Sequence, residues 1–130
     1  ITILTLKKGN VMENKIITKH QKEGIKIIKQ LLNEMHKDIK ELMTFENLEK
    51  DAKTVQEKSI RIAKIAITLQ NTLDKKNGGE VAKNLDHLYT HIRYAVGRVM
   101  DDKDFSYLES AEKVTAEINK GWDLVSQAAA

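Results

Sequence analysis

The 130 residues include no cysteine and no proline. Without cysteine there is no disulfide and no thiolate ligand for a metal. The absence of proline agrees with long helices, since one proline inside a helix costs about 3 kcal/mol. Aromatic residues make up only 5%, with a single tryptophan, Trp122. Arginine occurs only at Arg61, Arg93 and Arg98. A nucleic-acid footprint gathers Arg and Lys on one face. Here the lysines alternate with acids, as in Lys37-Asp38-Ile39-Lys40-Glu41. The net charge of +3 therefore reads as solvated helix faces with i,i+4 pairs, and no nucleic-acid partner is expected. No apolar run approaches the roughly 20 residues of a membrane span, so no membrane association is expected. No secretory leader is recognised, and because the chain begins at Ile1 rather than methionine, upstream residues are expected.

What the sequence does have is rhythm. Apolar or small residues recur at alternating steps of three and four in four segments. These are Ile25, Ile28, Leu32, Met35, Ile39 and Leu42; then Leu48, Ala52, Val55, Ser59, Ile62, Ala66, Leu69 and Leu73; then Val81, Leu85, Leu88, Ile92, Ala95 and Val99; then Leu108, Ala111, Thr115, Ile118, Trp122 and Val125. Each set is one stripe along a helix. Four stripes joined by short connections bury one another as an antiparallel up-and-down four-helix bundle. Thr18-x-x-Gln21 reads as a capping box opening helix one, which runs to Met43. Thr44 or Asn47 opens helix two, which ends near Lys76. Gly78 is the expected left-handed residue past that end. Helix three runs from Gly79 to about Asp101, with Glu80 in its first turn at the positive end of the dipole. Ser106-x-x-Glu109, or Asp104 before it, opens helix four. Residues 1–17 differ: Ile1 to Leu6 is near-alternating, Lys8-Gly9-Asn10 signals a turn, and Val11 to Ile17 returns. The fold class is mainly α, a bundle over 18–130 with a small N-terminal β-hairpin-like segment over 1–17.

Chemistry is sparse. His87 and His91 stand four apart, but Leu88 occupies the place where a zinc-protease helix needs its glutamate. No Glu-x-x-His pair exists for a di-iron bundle. His20, four before Gly24, is loosely like a phosphotransfer histidine, with Glu23 where a cation is wanted. There is no phosphate loop and no Ser/His/Asp grouping. No enzyme, metal or cofactor is expected. The remaining feature is apolar surface in excess of the stripes: Ile27, Leu31, Ile60, Ile67 and Tyr94. It serves either fuller burial in the bundle or a groove for an amphipathic helix from another chain. Tyr89, Tyr94 and Trp122 suit such a groove as aromatic anchors. Gly97 and Gly121 lie inside helices at up to about 1 kcal/mol each, explained by close helix packing or by backbone left open for a guest.

One block is more specific. Asn77-Gly78-Gly79-Glu80-Val81-Ala82-x-Asn84-Leu85-x-x-Leu88-Tyr89-x-x-x-x-Arg93 resembles the central motif of FliS, the flagellar export chaperone that holds flagellin. Glu23-Gly24-Ile25-Lys26-Ile27-Ile28 is similar to an acidic-glycine pair in that family's first helix, and Trp122 falls where the family often has a tryptophan. The resemblance covers roughly residues 20–127. It implies a cytoplasmic, non-enzymatic bundle that sequesters a disordered export substrate. The front departs: the family's Ser-Pro start and Leu-Tyr pair are replaced by Asn14 to Lys22, in a segment that in the family touches the substrate groove. A FliS-like fold with an added β element resembles the FliS co-chaperone. The expectation is thus a co-chaperone binding FliS, with direct binding of the flagellin C-terminal helix as the alternative and a metal or phosphotransfer bundle behind both. The expected partner-binding residues are Ile27, Leu31, Tyr89, Arg93, Tyr94 and Trp122, on a monomer or weak homo-oligomer.

Overall fold

The computed structural model describes residues 19–45 and 52–129. They form α1 (Lys19–Met43), α2 (Ala52–Asn71), α3 (Gly79–Asp102) and α4 (Leu108–Ala129). There is no strand among the described residues, and the hairpin expected at 1–17 lies outside them. Each helix packs on two others, in the ring α1–α2–α3–α4. Cross-helix pairs fix the directions. Lys29 meets Asp123 at 2.5 Å and His36 meets Glu112 at 2.7 Å, so α4 descends as α1 rises. Arg61 reaches Asp38 at 3.1 Å and Lys58 pairs with Glu41, so α2 runs against α1. His91 bonds Ser110 at 2.9 Å, and the Tyr94 and Tyr107 rings meet edge-to-face at 5.2 Å, so α4 runs against α3. The architecture is the up-and-down bundle that the stripes predict.

The core forms where those stripes meet. In α1 all six expected residues, Ile25 to Leu42, are buried, and in α4 so are Leu108, Ala111, Thr115, Ile118 and Trp122. α3 keeps Leu85, Ile92, Ala95 and Val99 of its expected stripe buried but is turned so that Ala82, Tyr89 and Val96 join them in place of Val81 and Leu88, which lie only partly buried on its flank. Both rhythms fit the sequence; burying Tyr89 removes more apolar area from water than burying Leu88 does, and selects this one.

The connections correct two expectations. α2 stops at Asn71, short of Lys76. Thr72 and Leu73 donate their N–H groups three residues back, to Leu69 and Gln70, and the Thr72 hydroxyl donates to the Leu69 carbonyl as well. Asp74 then organises the turn, its carboxylate accepting from the Asn77 backbone N–H at 3.0 Å and side-chain amide at 3.1 Å. Such Asx turns compete with helix for the backbone. The second correction concerns the glycine pair. Gly78 is right-handed, with φ −80°, and Gly79 carries the positive φ of 56°. Gly78 is required for a different reason: a Cβ there would lie 2.6 Å from the Asp74 carbonyl oxygen and 2.7 Å from Ala82 Cβ. α3 closes on Lys103 at φ 55°, whose N–H reaches the Val99 carbonyl. α4 begins at Leu108 after a turn in which Asp104 accepts from the Ser106 N–H and hydroxyl. The Ser106 hydroxyl is thus engaged backward, away from the expected capping box.

One charge is buried between α1 and α2. Asp38 is enclosed, and its partners Arg61 and Lys58 both come from α2. Burial pushes the Asp38 carboxyl above its ordinary value, and the two cations pull against this without cancelling it. The folded chain therefore holds this proton more tightly than the unfolded chain, and the group's contribution to stability falls as pH rises through its raised pKa. Asp74 and Asp104 act oppositely. Hydrogen bonds from Asn77 and Ser106 hold them below their ordinary values, so their contributions are lost as pH falls.

Two measurements check these points. Gly78→Ala forces the turn apart and should lower unfolding free energy by about 1–3 kcal/mol, an overpacking cost; unchanged stability in urea would show that the turn yields. For Asp38→Asn, the stability of the variant relative to wild type should move in the variant's favour as pH rises from the ordinary carboxylate range upward. A flat difference, or one of the opposite slope, would remove the burial cost from this account.

Candidate functional site

The six residues expected to bind a partner do not share one surface. Tyr89 and Trp122 are core residues, each 1% exposed. The two rings are neighbours in the core, and burial holds the Tyr89 phenol well above its ordinary pKa. Ile27 is exposed and Leu31 partly buried. Both lie on the edge of α1 turned toward α2, the edge that carries Glu34, Asp38 and Glu41 to their α2 partners. Tyr94 is half exposed on the α4 side of α3, against Tyr107; the hydrogen bond between the two phenols raises the pKa of Tyr107. Arg93 faces the other way, toward α2, where its guanidinium donates to the Gln70 side-chain carbonyl at 3.0 Å.

That Gln70 contact sets the register of the α2–α3 flank. Gln70 also donates to Asp86 and to the Thr90 hydroxyl, each at 3.0 Å. α2 and α3 are antiparallel, so stepping back along α2 from Gln70 matches stepping forward along α3 from Thr90. Ile67 then stands level with Arg93, Ala63 with Gly97, and Ile60 with Met100. On α2 the three residues follow helical spacing on one face, and so do the three on α3. Ile60, Ile67 and Met100 are 37%, 39% and 38% exposed. A Cβ built on Gly97 would meet nothing within 4 Å. The flank is therefore a shallow apolar furrow with bare backbone at its centre. At a rise of 1.5 Å per residue it is about 10 Å long, two helical turns.

The furrow has cations at its edges. Lys64 sits between Ile60 and Ile67 on the outer face of α2, and Arg93 stands at the furrow's end. Neither has a carboxylate within ion-pair distance among the described residues, whereas Arg61 and Arg98 do. Ile60, Ile67 and Gly97 were legible as surplus to the core; their meeting on one flank, and Met100 with them, depends on the rotation of α3 and the register at Gln70, which a single-chain pattern does not carry. His91 is engaged by Ser110. Among the described residues no three His, Asp or Glu side chains converge on a metal-sized site. No helix there is long and apolar enough to cross a membrane.

Comparison with known proteins gives a consistent result. Residues 8–129 match the family described as "Flagellar protein FliS". The match begins inside the stretch expected to be foreign to that family. The chain is 35% identical over 75 residues to the flagellar secretion chaperone FliSB of Pseudomonas aeruginosa, covering 55% of this chain and 60% of that protein. It is 31% identical over 61 residues to the flagellar secretion chaperone FliS of Vibrio cholerae serotype O1, covering 47% of this chain and 45% of that protein. The aligned stretches thus span about half the length of these curated relatives. No solved structure matches the chain.

The two tyrosines separate core from surface. Tyr89→Ala should cost about 3–5 kcal/mol of stability, as other buried aromatic truncations do. Tyr94→Ala loses an exposed ring pair and should cost about 1 kcal/mol or less. Urea unfolding of both variants checks this, and a Tyr94 variant as damaged as the Tyr89 variant would place Tyr94 in the core.

Proposed function

The chain belongs to the flagellar protein FliS family, and from that membership we propose that it is a flagellar secretion chaperone that holds the C-terminal segment of flagellin until export. The observation that carries this is the match of residues 8–129 to the FliS family, with two relatives that are themselves flagellar secretion chaperones. The family is non-enzymatic. The protein acts in the cytoplasm, where export substrates wait.

Physical chemistry supports the same reading. A segment kept unfolded for export cannot bury its own apolar residues. It aggregates unless another surface covers them. An amphipathic helix laid in an apolar groove is one economical cover, because the guest's helix satisfies its own backbone hydrogen bonds. The exposed apolar residues Ile60, Ile67 and Met100 provide such a surface, and Ile27, Leu31, Arg93 and Tyr94 extend the candidate contact around the bundle. The co-chaperone reading, in which FliS itself is the partner, rested on the N-terminal hairpin. That segment lies outside the described residues, and the family match is to FliS. Binding of flagellin therefore takes precedence.

The test is titration of the full chain with a peptide of the flagellin C-terminal segment from the same organism, read by calorimetry. Binding at about 1–10 µM or tighter is expected. Absence of binding, together with binding to a purified FliS partner, would restore the co-chaperone reading.

A further inference from the structure

Resting on that reading, we propose that Gly97 is the floor of the docking site and decides which guest helix fits, receiving a bulky apolar side chain between Ile60, Ile67 and Met100 while an acidic residue of the guest pairs with Arg93 and Lys64. The occupant is an amphipathic helix with apolar residues at i, i+3 or i+4 and i+7 and a carboxylate beside that stripe.

Three observations carry this. The first is the glycine itself. A glycine in the interior of a helix is unfavourable relative to alanine, because its backbone loses more freedom on folding. Such a residue usually answers a steric need, as Gly78 does, with atoms 2.6 and 2.7 Å from its would-be Cβ. Gly97 has no such need in the isolated chain, since a Cβ there meets nothing within 4 Å. What its missing side chain provides is depth at the centre of the furrow.

The second observation is geometry. The guest's repeat matches the host's. Ile60, Ala63 and Ile67 stand level with Met100, Gly97 and Arg93, in the register set by Gln70. A helix laid along this flank places one side chain over the glycine and its neighbours, one turn away, against Ile60 with Met100 and against Ile67. The third is charge. Lys64 and Arg93 have no carboxylate partner among the described residues, and the Gln70 side chain holds the Arg93 guanidinium at the furrow's end. A guest carboxylate in that position gains a charge-assisted bond without displacing an existing ion pair.

The experiment measures binding of the flagellin C-terminal peptide to full-length Gly97→Ala, Gly97→Leu and Arg93→Glu beside wild type. Gly97→Leu should weaken binding at least tenfold and Gly97→Ala less. Both should unfold at a urea concentration no lower than wild type, because the new side chain enters open space and glycine is removed from a helix. Arg93→Glu should weaken binding, and a peptide with the facing acid changed to lysine should recover part of the loss. Wild-type binding that Gly97→Leu leaves undiminished overturns this inference alone and leaves the chaperone reading standing. No binding by wild type overturns both. A dimer seen by light scattering and dissolved by Gly97→Leu, with peptide affinity unchanged, assigns the furrow to a second copy of the chain and also overturns the inference.

Discussion

Trp122 and Tyr89 are the two largest fully buried side chains, and burying rings of this size removes more apolar surface from water than any other single choice open to α3 and α4. The pair fixes how α3 is turned. With Tyr89 inward, helical geometry sends Tyr94 and Arg98 toward α4 and Arg93, Gly97 and Met100 toward α2. Had Leu88 been the inward residue, the glycine would have turned away from α2 and the furrow would not have formed. The orientation of the outer surface thus follows from the burial of large rings in the core.

The four flanks that result are unlike. Between α1 and α4, polar side chains close the seam: Lys29 with Asp123, His36 with Glu112, and the Asn33 side chain with that of Asn119. Between α1 and α2, Asp38 is enclosed by Arg61 and Lys58. Between α3 and α4, the Tyr94–Tyr107 pair covers the gap. In each case the groups named here are matched within the chain. The α2–α3 flank is bridged by Gln70 near one end and beyond it exposes aliphatic side chains and unmatched cations. A partner gains most free energy where the host's own groups have not satisfied each other, and this flank is one such place.

Much of the bundle was legible because α1 and α4 carry one unambiguous stripe each. Every residue from Ile25 to Leu42 in the first stripe, and from Leu108 to Trp122 in the fourth, is buried. α3 was ambiguous because 81-85-88-92-95-99 and 82-85-89-92-96-99 are both apolar, and a periodicity argument cannot weigh Tyr89 against Leu88 without knowing that Trp122 waits opposite. The end of α2 was misplaced for a local reason, the competition of Thr72 and Asp74 side chains for the backbone. The glycine pair was assigned to the right turn but with the roles of Gly78 and Gly79 exchanged, since positive φ and steric crowding leave the same mark in a sequence. As for the binding residues, aromatic identity pointed to Tyr89 and Trp122, yet the same ring area that favours interfaces favours cores more strongly.

The size of the furrow bears on how a chaperone lets go. Two turns of helix, about 10 Å, are short beside the surface that a stable complex buries, about 800 Å² on each partner. A guest held by this flank alone gains a few well-packed side chains and one or two charge pairs, against the ordering of a flexible segment, which itself costs several kcal/mol. The balance favours an anchor that seats one part of a longer contact and leaves the rest to weaker surfaces such as Ile27 on α1 and Tyr94 on α3. On the proposed reading, hold would be distributed and release piecewise: freeing the peripheral contacts would leave an anchor too small to retain the substrate. A deeper groove would bind harder but resist handing the segment on, so a furrow floored by a single glycine would suit the proposed chaperone, whose task would end with giving its guest away.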